Sequence, residues 1–195
     1  MKLIAHRGIW NNLVKDNSYE AIFRGLKNSK YIGIECDIRT TLDKKFILYH
    51  DALYKGSLVK NTYYKKMKNI TLLEDILKID TDKILLLEIK DINIDKKRLL
   101  RLLNKYKRSY YIMSFNTKVI LELKSISNKY KYGVLNYVLN TDLNYNLDFI
   151  CLLDAFASNK VIKSFEKNGI EVIIYGTINV KKDVKYIVDD IKMIK

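Results

Sequence analysis

The amino-acid sequence predicts a single domain, residues 1–195, folded as a minimal (β/α)8 barrel of the TIM type with a β-finger after the second strand. Amphipathic segments separate most of eight short apolar runs, which lie near residues 4, 34, 86, 112, 134, 150, 173 and 192. Charged residues follow the first three runs directly, and the working residues of a parallel barrel lie at such strand ends. An open doubly wound sheet has the same alternation and stays the alternative on spacing alone.

The first strand and the first helix have clear ends. Residues 2–5 form an apolar run that stops at His6, Arg7 and Gly8. Ser18 then precedes a stretch with helical spacing, so it is predicted to cap the first helix.

The second strand carries two acids. Glu35 and Asp37 are two residues apart within an apolar run, so both side chains are predicted to lie on one face of the strand. Residues 46–50 follow after a connection too short for a parallel crossover, which needs about a dozen residues. The two runs are therefore predicted to fold back as an antiparallel finger around residues 43–44. This brings His50 roughly opposite Asp37.

The third strand is preceded by an irregular stretch. Residues 52–70 form a polar excursion with Gly56 as its flexible joint, and a short helix with Thr71 as its cap is predicted over residues 71–79. Residues 84–90 are a nearly continuous apolar run, as in a strand buried on both faces. Further strands are predicted over residues 110–115, 132–137, 149–153, 171–175 and 191–194. Further helices are predicted over residues 95–107, 117–128, 158–167 and 180–188, the third of them ending at Asn168 and Gly169.

The composition indicates in which cellular compartment the protein is expected. No run of about 18 apolar residues is present, and the N-terminus turns polar after five residues, unlike a secretion signal. Cys36 and Cys151 lie far apart in apolar runs. They are expected to be reduced core residues of a cytoplasmic protein, without a disulfide.

The formal net charge of +14 is compatible with several partners. The basic residues are spread along the chain, so solvated faces are the favoured explanation, and nucleic-acid binding would rest on charge alone. An anionic membrane surface or a phosphate-bearing substrate is the next account. The Leu-rich, basic helix over residues 95–107 could contact membranes, but an ordinary outer helix is favoured.

The polar residues at the strand ends form a plausible catalytic set. Glu88 would join Glu35 and Asp37, and three converging carboxylates need a counter-charge. Oxygen-only ligation favours one divalent cation, Mg²⁺ or Ca²⁺, over zinc. Lys90 and Arg7 could attract a phosphodiester, although Lys90 could instead form an internal ion pair with Glu88 and Arg7 could anchor the acids.

The chain has two histidines, and both fall in this set. His6 and His50 could supply the general acid and the general base of phosphodiester cleavage near neutral pH. Which histidine is the acid and which the base stays open.

Several motifs in order resemble the glycerophosphodiester phosphodiesterases. They are IAHRG, then Asp16-Asn17-Ser18 with Ala21, then GIECDIRTTLDKKFILYHD, then LLLEIK, with weaker matches at Ser114-Phe115 and Gly176-Thr177-Ile178-Asn179. Gly176 stands where that family usually has Trp. The sequence ends at Lys195 without the Thr-Asp pair that usually follows the last strand in the family.

The resemblance implies a TIM barrel that binds a divalent metal through Glu35, Asp37 and Glu88. It also implies catalytic histidines at His6 and His50, and phosphate contacts from Arg7 and Lys90. The implied reaction releases glycerol phosphate and an alcohol from a small-molecule phosphodiester. A lyase that stops at a cyclic phosphate, like the sphingomyelinase D enzymes, and a non-catalytic barrel that binds phosphate head groups are the alternatives. The alcohol and the oligomeric state stay open.

Overall fold

A computed structural model describes residues 1–136, 146–177, 180 and 183–189 of the protein. The elements of these residues are, in chain order, β1 (Lys2–Ala5), α1 (Tyr19–Lys27), β2 (Tyr31–Thr40), β3 (Phe46–Leu48), β4 (Leu53–Tyr54), β5 (Ser57–Leu58), α2 (Leu73–Leu77), β6 (Ile84–Ile89), α3 (Lys96–Asn104), β7 (Tyr110–Ser114), α4 (Thr117–Ile126), β8 (Lys131–Asn136), β9 (Phe149–Leu153), α5 (Asn159–Lys167), β10 (Glu171–Tyr175) and β11 (Lys185–Val188).

The main sheet is a closed barrel, as predicted. Its described strands run in the order β1, β2, β6, β7, β8, β9, β10, β11, all parallel, and β1 pairs with both β2 and β11 to close the ring. Within the described residues, the helices α1, α2, α3, α4 and α5 lie between β1 and β2, β2 and β6, β6 and β7, β7 and β8, and β9 and β10, respectively. The alternative of an open doubly wound sheet is therefore excluded.

The barrel interior is a packed core rather than a pore. Its buried apolar residues come from seven of the described barrel strands and are Ile4, Leu86, Tyr111, Met113, Leu135, Phe149, Cys151, Ile173 and Ile187. On β6, Leu86 belongs to this core, and Glu88 two residues later lies on the same face of the strand. The interior thus changes from apolar to acidic towards the C-terminal mouth. A larger cluster fills the space between the sheet and the outer helices, including the apolar face of α3.

The predicted finger is present. β2 pairs antiparallel with β3, with Ile38 opposite Leu48, and the turn between them contains Lys44 at φ 63°. Beyond it, β4 and β5 form a small hairpin around Gly56 at φ 80°. Residues 52–70, which the sequence indicates as polar, bury four apolar side chains against Ile47 of β3. These are Tyr54, Val59, Met67 and Ile70.

Three details differ from the sequence-based expectations. The helix predicted over residues 180–188 is wrong at Lys185–Val188, which form β11 and close the barrel. Thr71 does not cap α2, because the helix begins at Leu73 and Leu72, which pairs with Ile47 of the finger, occupies the N-cap position without a side-chain cap. The strand predicted over residues 191–194 lies outside the described residues, as does Tyr137 at the end of the strand predicted over 132–137.

Two other local predictions, the Ser18 cap of α1 and the end of α5 at Gly169, are confirmed. The Ser18 hydroxyl accepts a hydrogen bond from the Ala21 amide at 3.1 Å and caps α1. Gly169 ends α5 in the left-handed conformation at φ 74°. Cys36 and Cys151 are free and buried. Among the described helices, none is both long and apolar enough to cross a membrane.

Candidate active site at the barrel mouth

Three buried carboxylates meet at the C-terminal mouth of the barrel. Asp37 of β2 lies directly opposite Glu88 of β6, and Glu35 lies two residues before Asp37 on the same face. One carboxylate oxygen from each residue falls within 4.8 Å of the others, and all three side chains are buried. The parallel register of β2 and β6 therefore brings together the acids that the sequence places at the ends of these strands.

Two cations partly neutralise this cluster. The Lys90 ammonium lies 2.5 Å from Glu88 Oε1 and 3.1 Å from Asp37 Oδ1. The Arg7 guanidinium lies 3.1 Å from Asp37 Oδ2 and 3.0 Å from Asp16 Oδ2. Arg7 thus anchors the acids, which is one of the two roles that the sequence leaves open. Lys90 forms an ion pair with Glu88.

The acids differ in their protonation as a result. Burial alone would raise the pKa of Asp37, but the charges of Lys90 and Arg7 bring it below its ordinary value. Burial, and then the charges of Asp37 and Glu88, raise the pKa of Glu35 well above its ordinary value. Burial also raises the pKa of Glu88, against the opposing effect of Lys90. The cluster therefore retains a proton on Glu35 at pH values where an exposed glutamate is ionised.

The turn after β1 requires its glycine. Arg7 and Gly8 both have positive φ, at 55° and 82°, and the Arg7 amide donates a hydrogen bond to Glu35 Oε2 at 3.1 Å. A Cβ atom on Gly8 would lie 2.4 Å from the carbonyl carbon of Ala21 in α1. This close approach lets the turn place Arg7 over the acids.

His6 is held by a residue from the other end of the chain. Its Nδ1 forms a hydrogen bond with Asp189 Oδ1 at 2.5 Å, and its Nε2 lies 3.8 Å from Glu35 Oε2. The hydrogen bond to His6 lowers the pKa of Asp189. Asp189 directly follows β11, so barrel closure brings it to His6. The sequence prediction missed this residue.

His50 returns on the finger, one residue beyond the position opposite Asp37. The Tyr49 amide donates to the Asp37 carbonyl at 3.0 Å, and the His50 carbonyl accepts from Arg39 Nε at 2.9 Å. His50 Nδ1 forms a hydrogen bond with Asp51 Oδ1 at 2.9 Å, which lowers the pKa of Asp51. The register of the finger therefore places His50 beside the mouth, next to the strand that carries Asp37.

Asn17 is a second residue whose role sequence reasoning missed. It is buried at φ 54°, its Nδ2 donates to Asp37 Oδ2 at 2.8 Å, and its Oδ1 accepts from the Asp37 amide at 3.1 Å. Its place in the Asp16-Asn17-Ser18 motif beside the helix cap was the available signal. Asn17 fixes the orientation of Asp37.

The weaker motif positions also lie near the mouth. The Ser114 hydroxyl donates to the Ile89 carbonyl at 2.8 Å, and the Phe115 ring centroid lies 6.0 Å from Lys90 Nζ. Gly176 follows β10 at φ 72°. Ile178 and Asn179 lie outside the described residues.

The acidic cluster fits a hard divalent cation. Glu35 Oε1 is buried without a hydrogen-bond partner, while Asp37 and Glu88 direct oxygens into the same small space. Burying a carboxylate oxygen without a partner is costly, and a cation that accepts oxygen ligands removes that cost. The residues that could hold such an ion are Glu35, Asp37 and Glu88.

No protein-family model and no curated protein matches the chain. Solved structures do match its fold. A glycerophosphodiester phosphodiesterase from Parabacteroides distasonis is 19% identical with a TM-score of 0.79, over 96% of this chain and 92% of that one. One from Thermotoga maritima is 20% identical with a TM-score of 0.77, over 96% and 93%. An Oleispira antarctica phosphodiesterase, solved with its product sn-glycerol-3-phosphate, is 15% identical with a TM-score of 0.79, over 91% and 85%. The chain therefore has the barrel fold of the glycerophosphodiester phosphodiesterases along almost its whole length.

Proposed function

We propose that the protein is a metal-dependent glycerophosphodiester phosphodiesterase, a phosphoric diester hydrolase whose catalytic domain spans residues 1–195. The observation that carries this proposal is the buried cluster of Glu35, Asp37 and Glu88 at the barrel mouth. His6 Nε2 lies 3.8 Å from Glu35, and His50 lies one residue beyond the position opposite Asp37. The fold shared with solved glycerophosphodiester phosphodiesterases supports it. The substrate is a small phosphodiester, and the products are glycerol phosphate and an alcohol.

The cation in this proposal is Mg²⁺ or Ca²⁺, held by Glu35, Asp37 and Glu88. When bound, it would act as a Lewis acid on a phosphate oxygen. The three acids carry three negative charges if all are ionised, and Lys90 and Arg7 return two positive charges. A site that is still net negative repels a phosphodiester, and a divalent ion removes that repulsion.

The two imidazoles move the protons. Both are tied through Nδ1 to a carboxylate, His6 to Asp189 and His50 to Asp51, which leaves Nε2 of each ring as the reactive nitrogen. One Nε2 takes a proton from the attacking oxygen as that oxygen bonds to phosphorus. The other protonates the alcohol oxygen as its bond to phosphorus breaks. Attack by water gives glycerol phosphate directly, whereas attack by the neighbouring glycerol hydroxyl gives a cyclic phosphate that a water then opens.

Lys90 and Arg7 hold the substrate and the acids in this proposal. The Lys90 ammonium is largely buried between Glu88 and Asp37, so it can turn from the carboxylates to a phosphate oxygen without crossing the pocket. Arg7 supports Asp37 first, and its positive charge adds to the attraction for the phosphate.

The test is hydrolysis of glycerophosphocholine by the intact protein with Mg²⁺ or Ca²⁺, with and without a chelator, followed by phosphorus NMR. We expect glycerol phosphate, its loss in chelator, and at least about a hundredfold lower kcat in His6→Ala and His50→Ala. Accumulation of a cyclic phosphate would assign the reaction to the lyase class instead. No turnover of any diester by folded, metal-loaded protein would leave only head-group binding.

Glu88→Gln has a matched control in Glu171→Gln. Glu88 and Glu171 are both barrel glutamates paired with lysines, but Glu171 contacts Lys131 and Lys185 at the opposite end of the barrel. The proposal requires that Glu88→Gln abolish metal-dependent turnover and that Glu171→Gln retain it. Equal losses would show that the effect of Glu88→Gln is structural.

A further inference from the structure

We propose that the rim of the barrel mouth docks on an anionic lipid surface. The rim consists of exposed apolar side chains from β4 and from the segments that follow β1, β6, β7 and β9, and these are Trp10, Leu13, Leu53, Ile92, Phe115 and Phe156. Leu13 is 95% exposed and Ile92 is 60% exposed, so neither contributes to the core. Large apolar side chains clustered at one end of a protein mark a binding surface.

The two ends of the barrel differ in this respect. At the opposite end, the part of the chain that the structure describes exposes two large apolar side chains, Met1 at the N-terminus and Ile126 at the end of α4. The loops that enter the strands there are polar or have their apolar residues buried, as at Ile79, Tyr130 and Ile170. Scattered surface exposure is normal for any protein, but it does not favour one end. The exposed apolar side chains of the rim are therefore concentrated at the mouth of the barrel.

The rim borders the candidate active site directly. The Trp10 indole donates a hydrogen bond to the His6 carbonyl at 3.1 Å, and the Phe115 ring centroid lies 6.0 Å from Lys90 Nζ. A lipid surface in contact with these rings would present its phosphate groups at the depth of the histidines and the acids.

The charge of the rim selects the kind of surface. Residues 52–70, which include Leu53, contain five exposed lysines and no acid, and the first turns of α3, α4 and α5, which face the mouth, contain lysine and no acid. A helix N-terminus favours acidic residues, so lysine there costs helix stability and adds positive potential to the mouth. Acids also lie at the mouth, at Asp51, Asp154 and Asp189 and in the first turns of α1 and α2, so the positive charge is greatest along residues 52–70 and the starts of α3 to α5. An apolar surface bordered by these lysines suits an anionic lipid interface. Nucleic acid is a poorer match, because the three most exposed side chains of the rim, Leu13, Leu53 and Ile92, have no aromatic face for a base.

The test is sedimentation of the intact protein with vesicles of phosphatidylcholine, with and without phosphatidylglycerol. We expect binding to the anionic vesicles that weakens with salt. The double variant Leu13→Ser with Ile92→Ser should bind at least about tenfold more weakly, because two side chains that enter the apolar region are lost. Ile126→Ser is the matched control and should bind as the unmodified protein does. Trp10, the single tryptophan of the chain, should show a blue shift of its emission on binding.

Three results would overturn the inference: no binding to anionic vesicles at low salt, unchanged binding by the double variant, or an equal loss in Ile126→Ser. Turnover of soluble glycerophosphocholine is measured on the same preparations and should be unchanged in the double variant, since neither residue contacts the acids or the histidines. Vesicle binding can therefore fail while the proposed hydrolysis stands, and hydrolysis can fail while docking stands.

Discussion

Replacing Asn17 by alanine is expected to lower the free energy of unfolding by about 4 kcal/mol. The hydrogen bond to the Asp37 carboxylate accounts for about 2 kcal/mol and the one from the Asp37 amide for about 1 kcal/mol, because both lie in a buried site. The left-handed backbone at φ 54° adds about 1 kcal/mol, since alanine tolerates it less well than asparagine. For 195 residues the unfolding entropy is about 0.4 kcal/mol/K, so the melting temperature should fall by about 10 °C.

The assay is a thermal melt in chelator, followed by calorimetric titration of Mg²⁺ or Ca²⁺ below the melting temperature. Ser18→Ala is the matched control, because it removes the α1 cap without touching Asp37 and should cost about 1 kcal/mol. Asn17→Gly separates the loss of the hydrogen bonds from the backbone strain, because glycine lacks the side chain but adopts the left-handed conformation without cost. Cation affinity should fall about tenfold or more in both Asn17 variants and stay unchanged in Ser18→Ala.

An Asn17→Ala shift no larger than that of Ser18→Ala would refute the energetic reasoning. A large loss of stability with unchanged cation affinity would instead refute the role of Asn17 in orienting Asp37.

Glu35→Gln is expected to raise the melting temperature in chelator. The folded-state pKa of Glu35 lies above that of the unfolded chain, so its contribution to stability is lost as pH rises through the folded pKa. The advantage of the amide should therefore grow in melts from about pH 5 to about pH 9, and a constant difference would contradict this. Glu171→Gln should cost about 1–2 kcal/mol at neutral pH, because Lys185 and Lys131 outweigh burial and lower its pKa. That cost should shrink as pH falls through the folded pKa in urea titrations, and an increase would count against the ion pairs. Gly8→Ala should cost several kcal/mol in the same urea titrations, because its Cβ would overlap the Ala21 carbonyl; wild-type stability would show that the turn can move.

The barrel and its acidic cluster were accessible from sequence because both follow from local patterns. The spacing of Glu35 and Asp37 fixes a common face, and the short connection after Thr40 allows only an antiparallel return. The run that ends in Glu88 and Lys90 is also recognisable as a buried parallel strand, because residues 84–87 are all apolar.

The closing strand and the partner of His6 depend on contacts that no local pattern encodes. Residues 180–188 place apolar side chains at helical spacing, but Tyr186, Ile187 and Val188 are also good strand formers, and pairing with β1 decides between the two. The hydrogen bond from His6 to Asp189 joins positions 183 residues apart. Likewise, pairing with Ile47 of the finger keeps Leu72 extended, so α2 begins one residue later than a Thr71 cap requires.

β1 pairs with β2, which is early in the chain, and with β11, which is late, so the two halves of the site can form at different times. All three acids and their two cations lie within the first 90 residues, on strands that neighbour each other in the sheet. A growing polypeptide can therefore gather the anionic cluster while more than half of it is still being synthesised. His6, in contrast, acquires its carboxylate support only when the last described strand docks, so the ability to move protons arrives with ring closure.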